Sequence, residues 1–242
     1  MREEESFPEF AWSMEVKASL AMVHSRISEA ARRAGRPPES ITLVAVTKTV
    51  PVEKILQVIE GGVRVLGENR VQEALPKIAA LASRGVFPEW HFVGKLQRNK
   101  VKSVVGRFSM IHSVDSLVLA EAISKHAERS GIRQEILVEV NVSGEQSKEG
   151  FSPGELMASL NRITRLNYVK LKGLMTVPPL SGDPEGARPW FRKLRNLGRA
   201  VEERQGQRLE VYSMGMSSDF EVAIEEGATH VRIGRALFGE RS

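Results

Sequence analysis

The stretch ITLVAVTKTVPVEKILQVIEGG, Ile41 to Gly62, sets the rhythm of the whole chain. Ile41–Thr47 is rich in β-branched and aliphatic residues and reads as a strand. Pro51 then opens a helical stretch through Ile59, and Gly61-Gly62 ends it. Outward from this unit the pattern recurs. Short apolar runs stand at Val63–Leu66, Trp90–Val93, Met110–Val114, Ile136–Val142, Leu171–Val177, Val211–Met214 and His230–Ile233. Helical segments such as Ser116–Arg129, Pro153–Leu166, Glu185–Arg204 and Phe220–Glu226 fall between them. Strand followed by helix, about eight times over, implies parallel pairing, because parallel neighbours need a crossover. A chain of 242 residues suits an α/β fold of the (β/α)8 or TIM-barrel type, whose usual size is ~250 residues. The rival is a doubly wound open sheet, and no G-x-G-x-x-G follows the first strand to favour it.

Ahead of the first strand, Val16, Leu20, Val23 and Ile27 recur at helical spacing from about Trp12 to Gly35, and Gly35-Arg36-Pro37-Pro38 stops the helix. Residues 1–35 therefore read as an N-terminal helical extension. No linker interrupts the remainder, since the Pro/Gly-rich Ser181–Gly186 lies inside one strand-to-helix connection, and residues 1–242 read as a single domain. Cysteine is absent, which excludes disulfides and thiolate chemistry. The five histidines show no paired ligand spacing and no H-E-x-x-H occurs, so no metal is expected. A net charge of +5 is spread along the chain and aromatics are only 6%, which argues against nucleic acid. Lys95, Arg98, Lys100 and Lys102 read as a solvated helix face. With no apolar run of ~20 residues and an acidic start that lacks a secretory core, a cytoplasmic protein with no membrane partner is expected.

In such barrels chemistry collects at the carboxyl ends of the strands. The first strand ends at Lys48, which shares a face with Val46 and Val44. Burial of both faces would make it a desolvated ammonium at a dry strand tip, available as an amine nucleophile. At the other end of the chain, Ser213-Met214-Gly215-Met216-Ser217-Ser218-Asp219 leaves the seventh strand and enters a helix. Glycine permits close backbone approach there, and free N–H groups suit a phosphate. Gly234 follows the eighth strand, and loops after strands seven and eight often hold phosphate in this fold. Arg232 lies on the face shared with Gly234, where it either makes a structural ion pair or meets a ring nitrogen or anionic ligand.

Together, Ala45-Val46-Thr47-Lys48, Gly67–Glu73, His91–Lys100, Ser213–Asp219 and Val231–Gly234 resemble the pyridoxal phosphate homeostasis proteins, in order from about Ile41 to Gly239. The resemblance implies a barrel like the N-terminal domain of alanine racemase, with an N-terminal helix. It implies pyridoxal 5′-phosphate (PLP) held as a lysine Schiff base on Lys48. The phosphate would rest on the segment containing Ser213, Met214, Gly215 and Ser217 and on Gly234, with Arg232 at the pyridine nitrogen and Asn69 lining the pocket. It further implies PLP buffering or delivery to PLP-dependent apo-enzymes, with little or no committed catalysis. Racemases of this type complete their site with a second domain, which a chain ending at Ser242 is expected to lack, and a monomer follows. The alternative is a small PLP-dependent amino-acid racemase. Its acid or base would have to come from elsewhere, because Tyr168 precedes strand six and Tyr212 lies before the strand-seven tip. A Schiff-base aldolase built on Lys172 is disfavoured, since that residue sits near the start of its strand.

Overall fold

The computed structural model describes residues 8–239 of the chain, so the acidic Met1–Phe7 lies outside the described residues. Eight parallel strands close in chain order into a barrel, with the last pairing to the first. They are β1 (Thr42–Val46), β2 (Val65–Glu68), β3 (Glu89–Phe92), β4 (Met110–Val114), β5 (Gln134–Glu139), β6 (Val169–Met175), β7 (Val211–Ser213) and β8 (His230–Ile233). The crossovers carry α2 (Val52–Glu60), α3 (Val71–Ala82), α4 (Val101–Val104), α5 (Leu117–Arg129), α6 (Pro153–Thr164), α7 (Arg188–Gln205) and α8 (Phe220–Glu225). A short α9 (Arg235–Phe238) follows β8. The closed barrel, not the open sheet, is the fold.

Local signals explain where the helices begin. Ser116 caps α5 by accepting from the Leu119 N–H at 3.3 Å. Before α6, the Glu155 N–H donates to Ser152 Oγ at 3.2 Å while the Ser152 N–H donates to Glu155 Oε2 at 2.9 Å. Two orphan amides are thereby satisfied reciprocally. The long α1 (Pro8–Arg33) begins ahead of Trp12. It lies along α8, α9 and α2, where the first and last units of the barrel meet. Val16, Leu20, Val23 and Ile27 are all buried, and Arg26 grips Glu221 through two hydrogen bonds of 2.7 and 2.9 Å. Among the described residues no helix is long and apolar enough to cross a membrane.

Strand alternation divides the interior into two environments. Outward-facing residues such as Leu66, Phe92, Ile111, Val138, Leu174, Val231 and Ile233 join the large core beneath the helices. Each such side chain contributes roughly 1.5–3 kcal/mol when fully buried. Inside the barrel, Met110, Leu137, Met175 and Val211 form a small apolar cluster of their own. The positions sharing their faces carry His91, His112, Ser213 and Arg232, all buried. A polar column therefore runs where a barrel of this kind is usually filled with branched aliphatics.

The strand edges depart from expectation at β5 and β6. Both start about two residues earlier than the apolar runs, at Gln134 and Val169, and stop before those runs end. Val140 and Val142 stay buried although they lie past the strand, so apolar character continues into the loop that packs over the barrel rim. A bulge in β6 inserts Lys172 between Leu171, opposite Ile136, and Gly173, opposite Leu137. A Cβ on Gly173 would lie 1.7 Å from the Val211 carbonyl oxygen. Gly173→Ala is expected to cost about 3 kcal/mol or more through forced separation of β6 and β7, measured as a lowered midpoint in urea unfolding.

Candidate active site

The residues singled out in the sequence lie on one arc of the barrel mouth. Lys48 follows β1, Asn69 follows β2, Ser213 ends β7 and Gly234 follows β8, and β7, β8, β1 and β2 are consecutive neighbours in the wall. Lys48 is exposed, which corrects the expectation of a dry strand tip. The cause is local. The Val50 N–H donates to the Thr47 carbonyl at 2.9 Å, closing a turn at Lys48-Thr49 that lifts the amine out of the wall. Thr49 has φ of 60°, a left-handed conformation that β-branched residues rarely adopt. Its N–H is held by Glu73 Oε2 at 3.0 Å, and this bond draws the Glu73 carboxyl below its ordinary pKa range.

Behind this turn stands a network that the sequence did not disclose. Fully buried Glu68 accepts from Thr47 Oγ1 at 2.7 Å and from Lys77 Nζ at 2.7 Å, and Lys77 also donates to the Thr47 carbonyl at 2.6 Å. These bonds fix the backbone immediately before Lys48 from the α3 side. Asn69 is half-buried, and its Oδ1 is buried with no protein partner among the described residues. Gly94 approaches so closely that a Cβ there would lie 2.4 Å from the Asn69 carbonyl oxygen.

On the other side of Lys48, the β7 loop is drawn tight against α8. Met214 and Gly215 are buried, and Gly215 has φ of 92°. An added Cβ there would lie 2.6 Å from Ala223 Cβ and 2.9 Å from Phe220 Cα. The Met216 N–H donates to Asp219 Oδ1 at 2.6 Å, and the Ala236 N–H donates to Ser217 Oγ at 3.2 Å, tying the β7 loop to the β8 loop. Gly234 is buried at the head of α9.

Arg232 points into the barrel and is 5% exposed. It donates through Nη1 to the Ser213 carbonyl at 2.8 Å and to Ser213 Oγ at 2.6 Å, and through Nη2 to the Thr176 carbonyl at 2.9 Å. Among the described residues no carboxylate contacts it directly, so the ion-pair reading gives way to a guanidinium held by neutral oxygens. Burial lowers its pKa to about 10, opposed by Glu139 and Asp219. Ser213, expected with the phosphate segment, is fully buried and faces inward to Arg232 and His112. Glu139, at the end of β5, was not anticipated; burial raises its pKa to about 7, with Arg232 pulling the other way.

Residues 19–242 match the family described as alanine racemase, N-terminal domain. A pyridoxal phosphate homeostasis protein of Aquifex aeolicus is 49% identical over 222 residues, covering 92% of this chain and 96% of its own. The chain belongs to the pyridoxal phosphate homeostasis protein family. PipY of Synechococcus elongatus, solved with PLP bound, is 36% identical with a TM-score of 0.77, covering 88% of this chain and 100% of its own. Alanine racemase of Clostridium difficile is 17% identical with a TM-score of 0.68, covering 93% of this chain and 57% of that one, a likeness of fold.

In this homeostasis-family barrel the groups that rival chemistries would need are engaged elsewhere. Lys172 is tied to Glu210 and lies 3.6 Å from Glu135. Tyr212 is buried against Gly198 and donates to Glu202 Oε1 at 2.8 Å, away from the barrel interior. Lys95 pairs with Glu149 at 2.5 Å.

Two outcomes follow from this geometry. Lys77→Met is expected to cost about 3–5 kcal/mol, because it leaves the Glu68 carboxylate buried and unpaired; adding Glu68→Leu should restore most of the loss in urea unfolding. Glu139 binds its proton more tightly folded than unfolded, so it costs the folded state increasing free energy as pH rises from about 4.5 to about 7. The stabilisation gained by Glu139→Gln should therefore grow across that window, by at most about 1.4 kcal/mol per pH unit, and level off above it.

Proposed function

We propose that this chain is a single barrel unit that binds PLP and serves intracellular PLP homeostasis, holding the cofactor reversibly with little or no committed turnover. The observation that carries this reading is the arc itself: an exposed amine on Lys48 flanked by the tightened β7–β8 loops and, below them, a fixed guanidinium. The residues fit the group. Lys48 would supply the amine that holds the cofactor through its aldehyde. Met214, Gly215 and Ser217 with Gly234 would hold the phosphate, and the Ser217 proton is available to an anion because its oxygen already accepts from Ala236. Asn69, with its unpartnered Oδ1, lines the ring side. Ser213 acts through Arg232 instead of on the phosphate. The names of the relatives, and the PLP in PipY, support the same cofactor.

Bound PLP stabilises carbanions best when its ring nitrogen is protonated. Arg232 offers that nitrogen a donor that keeps its charge at neutral pH, which disfavours the ring proton. Neither tyrosine serves the arc, since Tyr168 precedes β6 and Tyr212, although on β7, is turned away to Glu202. An open amine with no tyrosine turned toward it among the described residues suits handing PLP to apo-enzymes, as a monomer in the cytoplasm. Glu139 favours a second reading, slow racemisation, since a carboxyl with a pKa of about 7 is matched to proton transfer at neutral pH.

An absorbance titration with PLP tests the main reading. A band of the lysine-linked cofactor should appear with the wild-type protein and be lost in Lys48→Ala; an unchanged band would place the linkage on another lysine. Rapid interconversion of D- and L-alanine that falls with Glu139→Gln would instead establish the racemase.

A further inference from the structure

Arg232 is one end of a line of hydrogen bonds that crosses the barrel. Ser213 Oγ lies 2.9 Å from His112 Nδ1, His112 Nε2 lies 2.9 Å from His91 Nδ1, and His91 Nε2 lies 2.9 Å from Glu89 Oε1. Ser213 and His112 are fully buried or nearly so, His91 is 1% exposed, and Glu89 reaches solvent at the amino-terminal rim, where it opens β3. The line belongs to strands β8, β7, β4 and β3, and each of its members touches the next directly.

The direction of the line follows from proton counting. A guanidinium has donors only, so Ser213 Oγ accepts from Arg232. The serine's own proton then needs an acceptor in a site without solvent, and His112 Nδ1 is the atom within reach. With Nδ1 accepting, His112 carries its proton on Nε2 and donates to His91 Nδ1. His91 in turn carries its proton on Nε2 and donates to the Glu89 carboxylate. Every donor points from the cation toward the anion. Burial, first of all, keeps the His112 pKa well below its ordinary value, and the Arg232 guanidinium acts in the same direction, in keeping with a neutral ring.

We propose that His112 is a positioning residue for the ring-nitrogen end of the cofactor site: as the Nε2–H tautomer it fixes the Ser213 hydroxyl, and through it Arg232, by a one-way hydrogen-bond line anchored at Glu89. The line also explains why three polar side chains are tolerated inside a dry barrel, since each is satisfied only by the next. Removing His112 leaves the serine proton and His91 Nδ1 without partners, and the guanidinium loses the fixed geometry of one of its acceptors.

The statement about the ring nitrogen rests on the PLP reading, whereas the direction of the line does not, and the test separates them. Long-range 1H–15N spectra of histidine-labelled protein without PLP should show His112 and His91 protonated on Nε2 alone. Arg232 Nη–H signals should be resolved in the wild type and collapse in His112→Leu and in Ser213→Ala, the smaller change serving if the leucine variant folds poorly. In PLP titrations either variant should weaken binding about tenfold, as expected for loss of a bond supporting a charged donor, and shift the absorbance maximum. His112→Gln, which retains an acceptor and a donor, should recover most of the affinity. The two losses should not add in the double variant. A proton on His112 Nδ1, unchanged Arg232 signals, or additive losses would overturn the proposal. If the wild type failed to bind PLP while the tautomers and Arg232 signals came out as expected, the cofactor reading and the ring-end role would fall, and the one-way line would stand.

Discussion

A buried guanidinium is the constraint around which the mouth of this barrel is arranged. Transferring such a cation out of water costs several kcal/mol even after relaxation, and Arg232 meets that cost with three hydrogen bonds to neutral oxygens on β7 and just beyond β6. Glu139 and Asp219 add attraction at longer range. Neutral acceptors fix direction without cancelling charge. The site therefore keeps a cation aimed inward from β8, and the residues that hold it, Ser213 and Thr176, are committed to that task before any ligand arrives.

Lys48 is governed by the opposite requirement. It stands on a turn instead of inside the wall, as the proposed role requires, and a reachable amine on a mobile turn would be poorly placed. The structure resolves the conflict by stiffening the backbone and leaving the side chain free. Thr49 is held in a left-handed conformation whose strain is of order 1–3 kcal/mol, and Glu73 secures its amide. Glu68 and Lys77 brace Thr47 from the helix side. Glu68 is fully buried and Lys77 nearly so, so the brace is shielded from the solvent that the amine requires.

How much of this was legible in the sequence depends on whether a signal was local. The strand–helix rhythm was legible because apolar runs and helix stop signals repeat along the chain, and the closed barrel followed. Gly215 was legible as a site of close approach. The ends of β5 and β6 were not, because Val140 and Val142 remain apolar and buried beyond the ladder. The Glu68–Lys77 brace was hidden because each residue alone looks like an ordinary surface charge. His91 and His112 lie 21 positions apart and meet only when β3 and β4 pair. A signal for them did exist: each is a polar residue alternating with apolar ones, His91 between Trp90 and Phe92 and His112 after Ile111, which places it on the inward face of a strand.

Holding a cofactor and using it place different demands on the same barrel. Use requires a group opposite the amine that can take and return a proton, and closure that excludes water from charged intermediates. Here the amine is open, and the tyrosine on β7 is turned outward to Glu202. The polar groups of the interior are arranged in series behind Arg232 instead of around the reacting carbon. Such a line can set the orientation of Arg232, yet its histidines stand behind the guanidinium, a group that does not give up its proton. The barrel's interior polarity thus suits recognition of the cofactor, and Glu139 at the rim, its pKa raised to about 7, is the side chain through which recognition would extend to slow chemistry.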